Sequence, residues 1–175
     1  MSYLFIALSY LIGSLNFAYI VAKYKKLDIS SSGSGNPGTS NVMRTIGKKY
    51  AAIVLIGDVF KGFIPIFLFD ENLLLCGFAA VIGHIYPIFY KFKGGKGVAT
   101  YIGVYIAFST LNPISYDLFE NSYFLFLNIP VLAIFYFVVF KISRISAIAS
   151  LLTVFISNII LFTCLLYTSP SPRDP

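Results

Sequence analysis

Residues 3–22 are twenty consecutive positions without a single charged side chain. An α-helix rises 1.5 Å per residue and the hydrocarbon core of a bilayer is about 30 Å thick, so a run of this length matches one membrane crossing. Five more apolar runs follow, at residues 50–69, 73–90, 98–116, 121–140 and 145–166. The whole chain is 58% hydrophobic and 11% charged, with a mean hydropathy of +0.83. Soluble domains average roughly 45–50% apolar and about 25% charged, so a water-soluble globule is excluded. Disorder is excluded as well, because disordered chains are poor in aromatics and 18% of this one is Phe and Tyr. The expected fold is all-α and polytopic, with six transmembrane helices. The first run is not read as a secretory signal, because Lys23, Lys25 and Lys26 follow its apolar stretch instead of preceding it.

The loops alternate in charge. Residues 23–49 hold six Lys/Arg and one Asp; residues 70–72 hold Asp70 and Glu71; residues 91–96 hold three Lys. The fourth loop has Asp117 and Glu120, and the fifth has Lys141 and Arg144. The positive-inside rule therefore sets the first, third and fifth loops in the cytoplasm and the N-terminus outside. Eleven of the thirteen basic residues lie in those three loops, so the net charge of +6 reflects membrane orientation and anion binding. No nucleic-acid partner is needed to explain it. Cys76 and Cys164 sit in apolar stretches without a Cys or His at ligand spacing and are read as small hydrophobes, with no metal site. Residues 1–166 are read as one integral-membrane domain. Residues 167–175 are polar and proline-rich, and are expected to be a disordered tail or translated vector sequence outside the fold.

Two polar loops on the expected cytoplasmic side could carry chemistry. In the first, Gly33, Gly35 and Gly38 let backbone N–H groups converge on an anion. Ser34, Thr39, Ser40 and Asn41 add neutral donors, and Arg44 adds a planar fork suited to phosphate. The glycine spacing formally fits a dinucleotide fingerprint, but no strand precedes it. The competing reading is a flexible linker. The second loop, Phe92-Lys93-Gly94-Gly95-Lys96-Gly97, opens directly into the fourth span. Glycines and lysines ahead of a helix start make an anion site from free N–H groups and the helix dipole. The competing reading is a lysine anchor on anionic lipid. It is not a Walker A loop, since Gly97 stands where Ser or Thr is required. Within the spans, Asp58 and Lys61 are three residues apart and share a helix face, which suits an intramembrane ion pair. His84 is expected to be a hydrogen-bonded packing residue or a contributor to the site. Ser157 and Asn158 are expected to bond to a neighbouring helix.

Together these segments resemble the bacterial acyl-phosphate:glycerol-3-phosphate acyltransferase family, called PlsY. Ser34-Gly35-Asn36-Pro37-Gly38-Thr39-Ser40-Asn41-Val42-Met43-Arg44 is similar to the family motif Ser-Gly-Asn-x-Gly-Ala-Thr-Asn-x-x-Arg, with Thr39 and Ser40 as mild departures. Residues 83–100 follow Gly-His-x-x-Pro-x-Phe-x-x-Phe-Lys-Gly-Gly-Lys-Gly-Val-Ala-Thr throughout. Asp58-Val59-Phe60-Lys61-Gly62 and Ser143-Arg144-Ile145-Ser146 also look like family positions. The resemblance implies acyl transfer from acyl phosphate to the 1-hydroxyl of glycerol 3-phosphate, giving lysophosphatidic acid and phosphate at the start of phospholipid synthesis. It implies no cofactor and no metal, a place in the bacterial cytoplasmic membrane with the site facing the cytoplasm, and a functional link to the enzyme that makes acyl phosphate.

By matched positions the resemblance makes Ser34 and Arg44 the catalytic residues. Gly35, Asn36, Gly38, Ser40, Asn41, Lys93, Gly94, Gly95, Lys96, Gly97 and Thr100 would bind substrate phosphate, with Lys96 the main cation. His84, Asp58, Lys61, Ser143 and Arg144 would support them. The family's phosphate is thought to help remove the hydroxyl proton. A third family motif, with His, Asn and Glu after a seventh span, is not among these 175 residues. The chain is therefore expected to be truncated and impaired, and robust lysophosphatidate formation by it would overturn that expectation. The rival readings are a small transporter of a phosphorylated solute and a non-catalytic membrane scaffold.

Overall fold

A computed structural model describes residues 2–111 and 118–167. Among them every regular element is helical: α1 Ser2–Ser14, α2 Phe17–Tyr24, α3 Thr39–Thr45, α4 Lys48–Leu68, α5 Leu73–Ile85, α6 Val98–Leu111, α7 Leu118–Ser143 and α8 Ser146–Tyr167. A single 3-10 turn, Ile88–Tyr90, follows α5. Three segments are long and apolar enough to cross a membrane: Tyr3–Tyr24, Lys48–Leu68 and Leu73–Tyr90. Three shorter apolar helices, Val98–Thr110, Asn128–Ser143 and Ile148–Ile160, fall where the remaining expected spans lie. Asp117 and residues 168–175 lie outside the described residues, as do the side chains of Glu120 and Cys164.

The chain divides into two compact units, Met1–Phe108 and Ser109–Pro175. In the first, α1 packs along α5, and α4 packs against α1, α2, α3 and α5. Apolar side chains gain nothing by leaving lipid for one another, so helix association here depends on close backbone approach. Gly83 of α5 faces the Tyr10 carbonyl and Ser14 amide of α1, while Gly13 of α1 faces Ala80. A second crossing sets Gly62 of α4 on the Thr100 carbonyl and Gly103 of α6 on the Val59 carbonyl. A methyl at Gly62 has only backbone to meet. Gly62→Ala is therefore expected to cost about 1–3 kcal/mol through overpacking, read as a lowered Tm of the purified protein.

Two buried clusters accompany these crossings. Ala18, Val21, Ala22, Ile29, Val42, Ala51 and Val54 join α2, the first loop, α3 and α4. Ile66, Val104 and Ala107 join α4 to α6. Large apolar side chains such as Ile56, Phe60, Phe67 and Phe78 remain exposed, which suits lipid and would be a liability in water.

In the first unit the course of the helices departs from the sequence reading in three places. The first span is broken: α1 stops at Ser14 and α2 starts at Phe17, with Asn16 in extended conformation between them. The polar stretch 23–49 is not all linker, because α3 lies inside it. Helix α5 ends at Ile85, before Pro87, since the residue preceding proline is pushed out of helical conformation.

The second unit is a helical hairpin of α7 and α8. Arg144 makes its turn in left-handed conformation (φ 58°), and the Ser143 hydroxyl accepts from the Ile145 N–H at 3.3 Å. The Asn158 amide donates to the Val154 carbonyl of α8 itself at 2.8 Å, as does the Ser157 hydroxyl.

Candidate anion-binding site at two glycine-rich loops

The first loop is built by short side chains that bond to its own backbone. Asp28 accepts from the Ser30 N–H (2.9 Å) and hydroxyl (2.6 Å) and from the Ser31 hydroxyl (3.0 Å), while the Ser32 hydroxyl donates to the Asp28 carbonyl at 2.6 Å. The Ser30 hydroxyl above all holds the Asp28 carboxyl below the ordinary carboxylate range. This cap is therefore intact at neutral pH and is lost only as the pH falls through that lowered value. Ile29, fully buried, anchors the turn in the α2–α4 core.

Asn41, in the first turn of α3, closes the loop. Its Oδ1 accepts from the Ser34 N–H at 2.9 Å, and its Nδ2 donates to the carbonyls of Ser32 (2.9 Å) and Ile29 (3.4 Å). Gly33 and Gly35 take left-handed φ values of 59° and 71° around Ser34, a conformation that glycine adopts without strain. The Ser34 side chain is left exposed.

The second loop leaves α5 through Pro87 and the 3-10 turn. Lys91 and Phe92 both take positive φ, 53° and 58°. Non-glycine residues in that region hold strain, and it is retained where the surroundings enforce it. Here the Phe92 N–H reaches back to the Pro87 carbonyl at 2.9 Å and the Lys93 N–H to Tyr90 at 3.1 Å. The Gly95 N–H donates to the His84 carbonyl at 3.2 Å, and Gly97 (φ 78°) turns the chain into α6. The first N–H groups of α6 have no partner within their own helix, and the helix dipole adds partial positive charge there.

Beneath this loop lies a buried charged cluster. Lys61 Nζ is 2.9 Å from Asp58 Oδ1, and His84 Nδ1 is 3.6 Å from the same oxygen; the three side chains are 1–4% exposed. The ion pair expected from their spacing is present, and Lys61 also donates to the Leu15 carbonyl. That carbonyl sits at the break between α1 and α2, where Asn16 Oδ1 accepts from the N–H groups of Ala18 (3.0 Å) and Tyr19 (3.3 Å). The two loops meet at the same place. A Cβ built on Gly95 would lie 3.1 Å from the Pro37 carbonyl, as well as against the His84 ring. Tyr19 of α2 stacks on Tyr90 with ring centroids 4.6 Å apart.

The expected site residues thus sort by exposure. Ser34, Ser40, Arg44, Lys93 and Lys96 present exposed side chains, with Gly35, Asn36, Gly38 and Gly94 half-buried among them. Asn41, Gly95, Gly97, Thr100, His84, Asp58 and Lys61 are buried below. Asn41, expected as a phosphate ligand, commits its amide to the loop backbone. Ser143 and Arg144 belong to the second unit, at the α7–α8 turn. Asn16 is the residue the sequence reading passed over. A lone polar Asn immediately before a helical apolar run is an N-cap signal, even inside a membrane span.

The fold and the loops define a class: a helical integral-membrane protein with two anion-suited glycine loops backed by a buried ion pair. A family model for glycerol-3-phosphate acyltransferase matches residues 3–170, and the chain belongs to that family. Relatives bearing that name include one from Aquifex aeolicus, 46% identical over 108 residues, covering 58% of this chain and 56% of the relative. One from Neisseria meningitidis serogroup C is 48% identical over 115 residues, covering 59% and 58%. The chain therefore spans under two thirds of the length of these relatives. Among solved structures, PlsY (YgiH), an integral membrane glycerol 3-phosphate acyltransferase in its glycerol 3-phosphate form, matches with a TM-score of 0.73 at 32% identity, covering 94% of this chain and 80% of that one. Its lysophosphatidic acid form matches with a TM-score of 0.72.

Proposed function

We propose that this chain binds glycerol 3-phosphate between its two glycine-rich loops and serves its acylation by acyl phosphate, yielding lysophosphatidic acid and inorganic phosphate. The carrying observation is the direct meeting of the loops at Gly95 and Pro37, which brings the segment bearing Ser34 and Arg44 to the one bearing Lys93 and Lys96. Two phosphorylated groups need donors from more than one segment, and these loops supply neutral N–H groups, hydroxyls and cations together. Acyl phosphate is a mixed anhydride already activated for attack. The 1-hydroxyl of glycerol 3-phosphate adds to the acyl carbon, the carbonyl-to-phosphate oxygen bond breaks, and the hydroxyl proton leaves on the released phosphate. The protein's part is then to orient the hydroxyl and to stabilise developing negative charge. Ser34 and Arg44 carry that role, with Lys96 on the phosphate and Asn41, His84, Asp58 and Lys61 holding the loops.

In the same proposal the chain crosses the bacterial cytoplasmic membrane six times with its N-terminus outside and the loops in the cytoplasm, as the alternation of loop charge supports. A separate enzyme making acyl phosphate must supply this reactive donor. Binding tests the reading at its root. Glycerol 3-phosphate should bind the purified chain in lipid nanodiscs, and Lys96→Ala should weaken it about 10- to 100-fold, the worth of a charge-assisted contact. Equal binding by wild type and variant would sink the assignment of Lys96.

One observation favours a second reading. Transporters bind solutes at broken helices, and the first span is broken at Leu15–Asn16. Uptake of glycerol 3-phosphate into sealed proteoliposomes, with no lipid product, would decide for transport.

A further inference from the structure

The break in the first span carries more connections than a membrane crossing needs. In a continuous helix the carbonyls of Ser14 and Leu15 would accept from the N–H groups of Ala18 and Tyr19. Both of those donors instead turn to Asn16 Oδ1, and Lys61 takes up the Leu15 carbonyl. Asn16 itself is fully buried. Its oxygen is spent on α2, and its Nδ2 donates to the Pro37 carbonyl of the first loop at 3.4 Å. Tyr90, in the 3-10 turn that leads into the second loop, stacks on Tyr19, whose N–H the Asn16 oxygen caps. The Pro37 carbonyl is also the atom against which Gly95 of the second loop rests. One residue between α1 and α2 therefore touches the first loop directly, at the carbonyl where the two loops meet.

We propose that Asn16 is a positioning residue that sets the spacing of the two glycine-rich loops from a fixed point in the first membrane span. The capping oxygen fixes the carboxamide plane against α2, and the amide nitrogen then fixes the height of Pro37, and with it Ser34 through Gly38. Lys61 locks the other side of the break by holding Leu15, so the reference point is tied to α4. What the spacing serves, a phosphomonoester bridging both loops, rests on the reading given above. The loop coupling does not.

Two substitutions separate capping from positioning. Asn16→Asp retains the capping acceptor but replaces the donor to Pro37 with an oxygen. Asn16→Ser retains a capping hydroxyl that is too short to reach Pro37. Amide hydrogen exchange in nanodiscs is expected to rise about five- to tenfold in residues 33–38 and 93–97 of both variants, the effect of one lost hydrogen bond. The amides of Ala18 and Tyr19 should stay as protected as in the wild type. The dissociation constant for glycerol 3-phosphate should rise by a similar factor. Unchanged exchange in either loop, or loosening of α2 in step with the loops in both variants, would reduce Asn16 to a helix cap and overturn the proposal. Coupled loosening of both loops in a protein whose wild type does not bind glycerol 3-phosphate would uphold the coupling and remove the substrate reading.

Discussion

Asp58→Ala is expected to cost about 3–5 kcal/mol of stability, because it strands the Lys61 ammonium without its counter-charge inside the helix bundle. Both side chains are almost wholly buried, at 1% and 3% exposure, so solvent screening gives no relief. Against a total stability of about 5–15 kcal/mol, such a loss takes the protein to the edge of unfolding. The double variant Asp58→Leu with Lys61→Met removes both charges in similar volume and should recover most of the loss, since a buried pair often does no better than well-packed apolar groups. Thermal unfolding of Asp58→Leu, Lys61→Met and the double in detergent checks this. A double variant as unstable as the sum of the singles would show that the charges act separately. The recovered double should still bind glycerol 3-phosphate poorly, because Lys61 no longer holds the Leu15 carbonyl and Asp58 no longer faces His84 beneath the second loop.

Asn41 carries the second large effect. Asn41→Leu keeps the branched heavy-atom shape and leaves the Ser34 N–H and the Ser32 and Ile29 carbonyls without their present partner. Each unsatisfied buried group costs about 1–3 kcal/mol, and two of the three bonds are only part-buried, so a loss of about 2–4 kcal/mol is expected. Binding should fall further than stability, by about 100-fold or more, because the loop that presents Ser34 loses its defined shape. Asn41→Asp separates the two. It keeps the acceptor for Ser34, loses both donors, and sets a negative charge beneath an anion site. Isothermal titration with glycerol 3-phosphate alongside Tm measurement reads both quantities. Tight binding by Asn41→Asp would show that the amide donors do not matter to the site.

How much of this was legible in the sequence follows from which interactions are local. Hydropathy marks the apolar runs because lipid acts on every side chain separately. Proline acts as locally, through a steric clash with its immediate neighbour, but hydropathy runs on across Pro87 and so hides the end of α5 at Ile85. The Asp58–Lys61 pair is visible because three residues make one helix face. The break at Leu15–Asn16 is not, since one Asn hardly changes the mean hydropathy of residues 3–22, and its meaning depends on Lys61 and Pro37, 45 and 21 positions away. Nor is the division of labour within the first loop. Ser34, Ser40 and Asn41 read alike as polar donors in sequence, and only the folded backbone decides that Asn41 turns inward.

The position of Asp58 and Lys61 on one helix also bears on how α4 enters the bilayer. A helix with an isolated charge at its centre must wait for a partner helix before it can settle in hydrocarbon. With Nζ and Oδ1 2.9 Å apart within a single turn, α4 brings its own counter-ion, and its apolar stretch beyond Lys49 carries no net charge. Insertion of α4 is therefore expected to need no counter-charge from α5, whose His84 adds a second partner to Asp58 where the two helices pack.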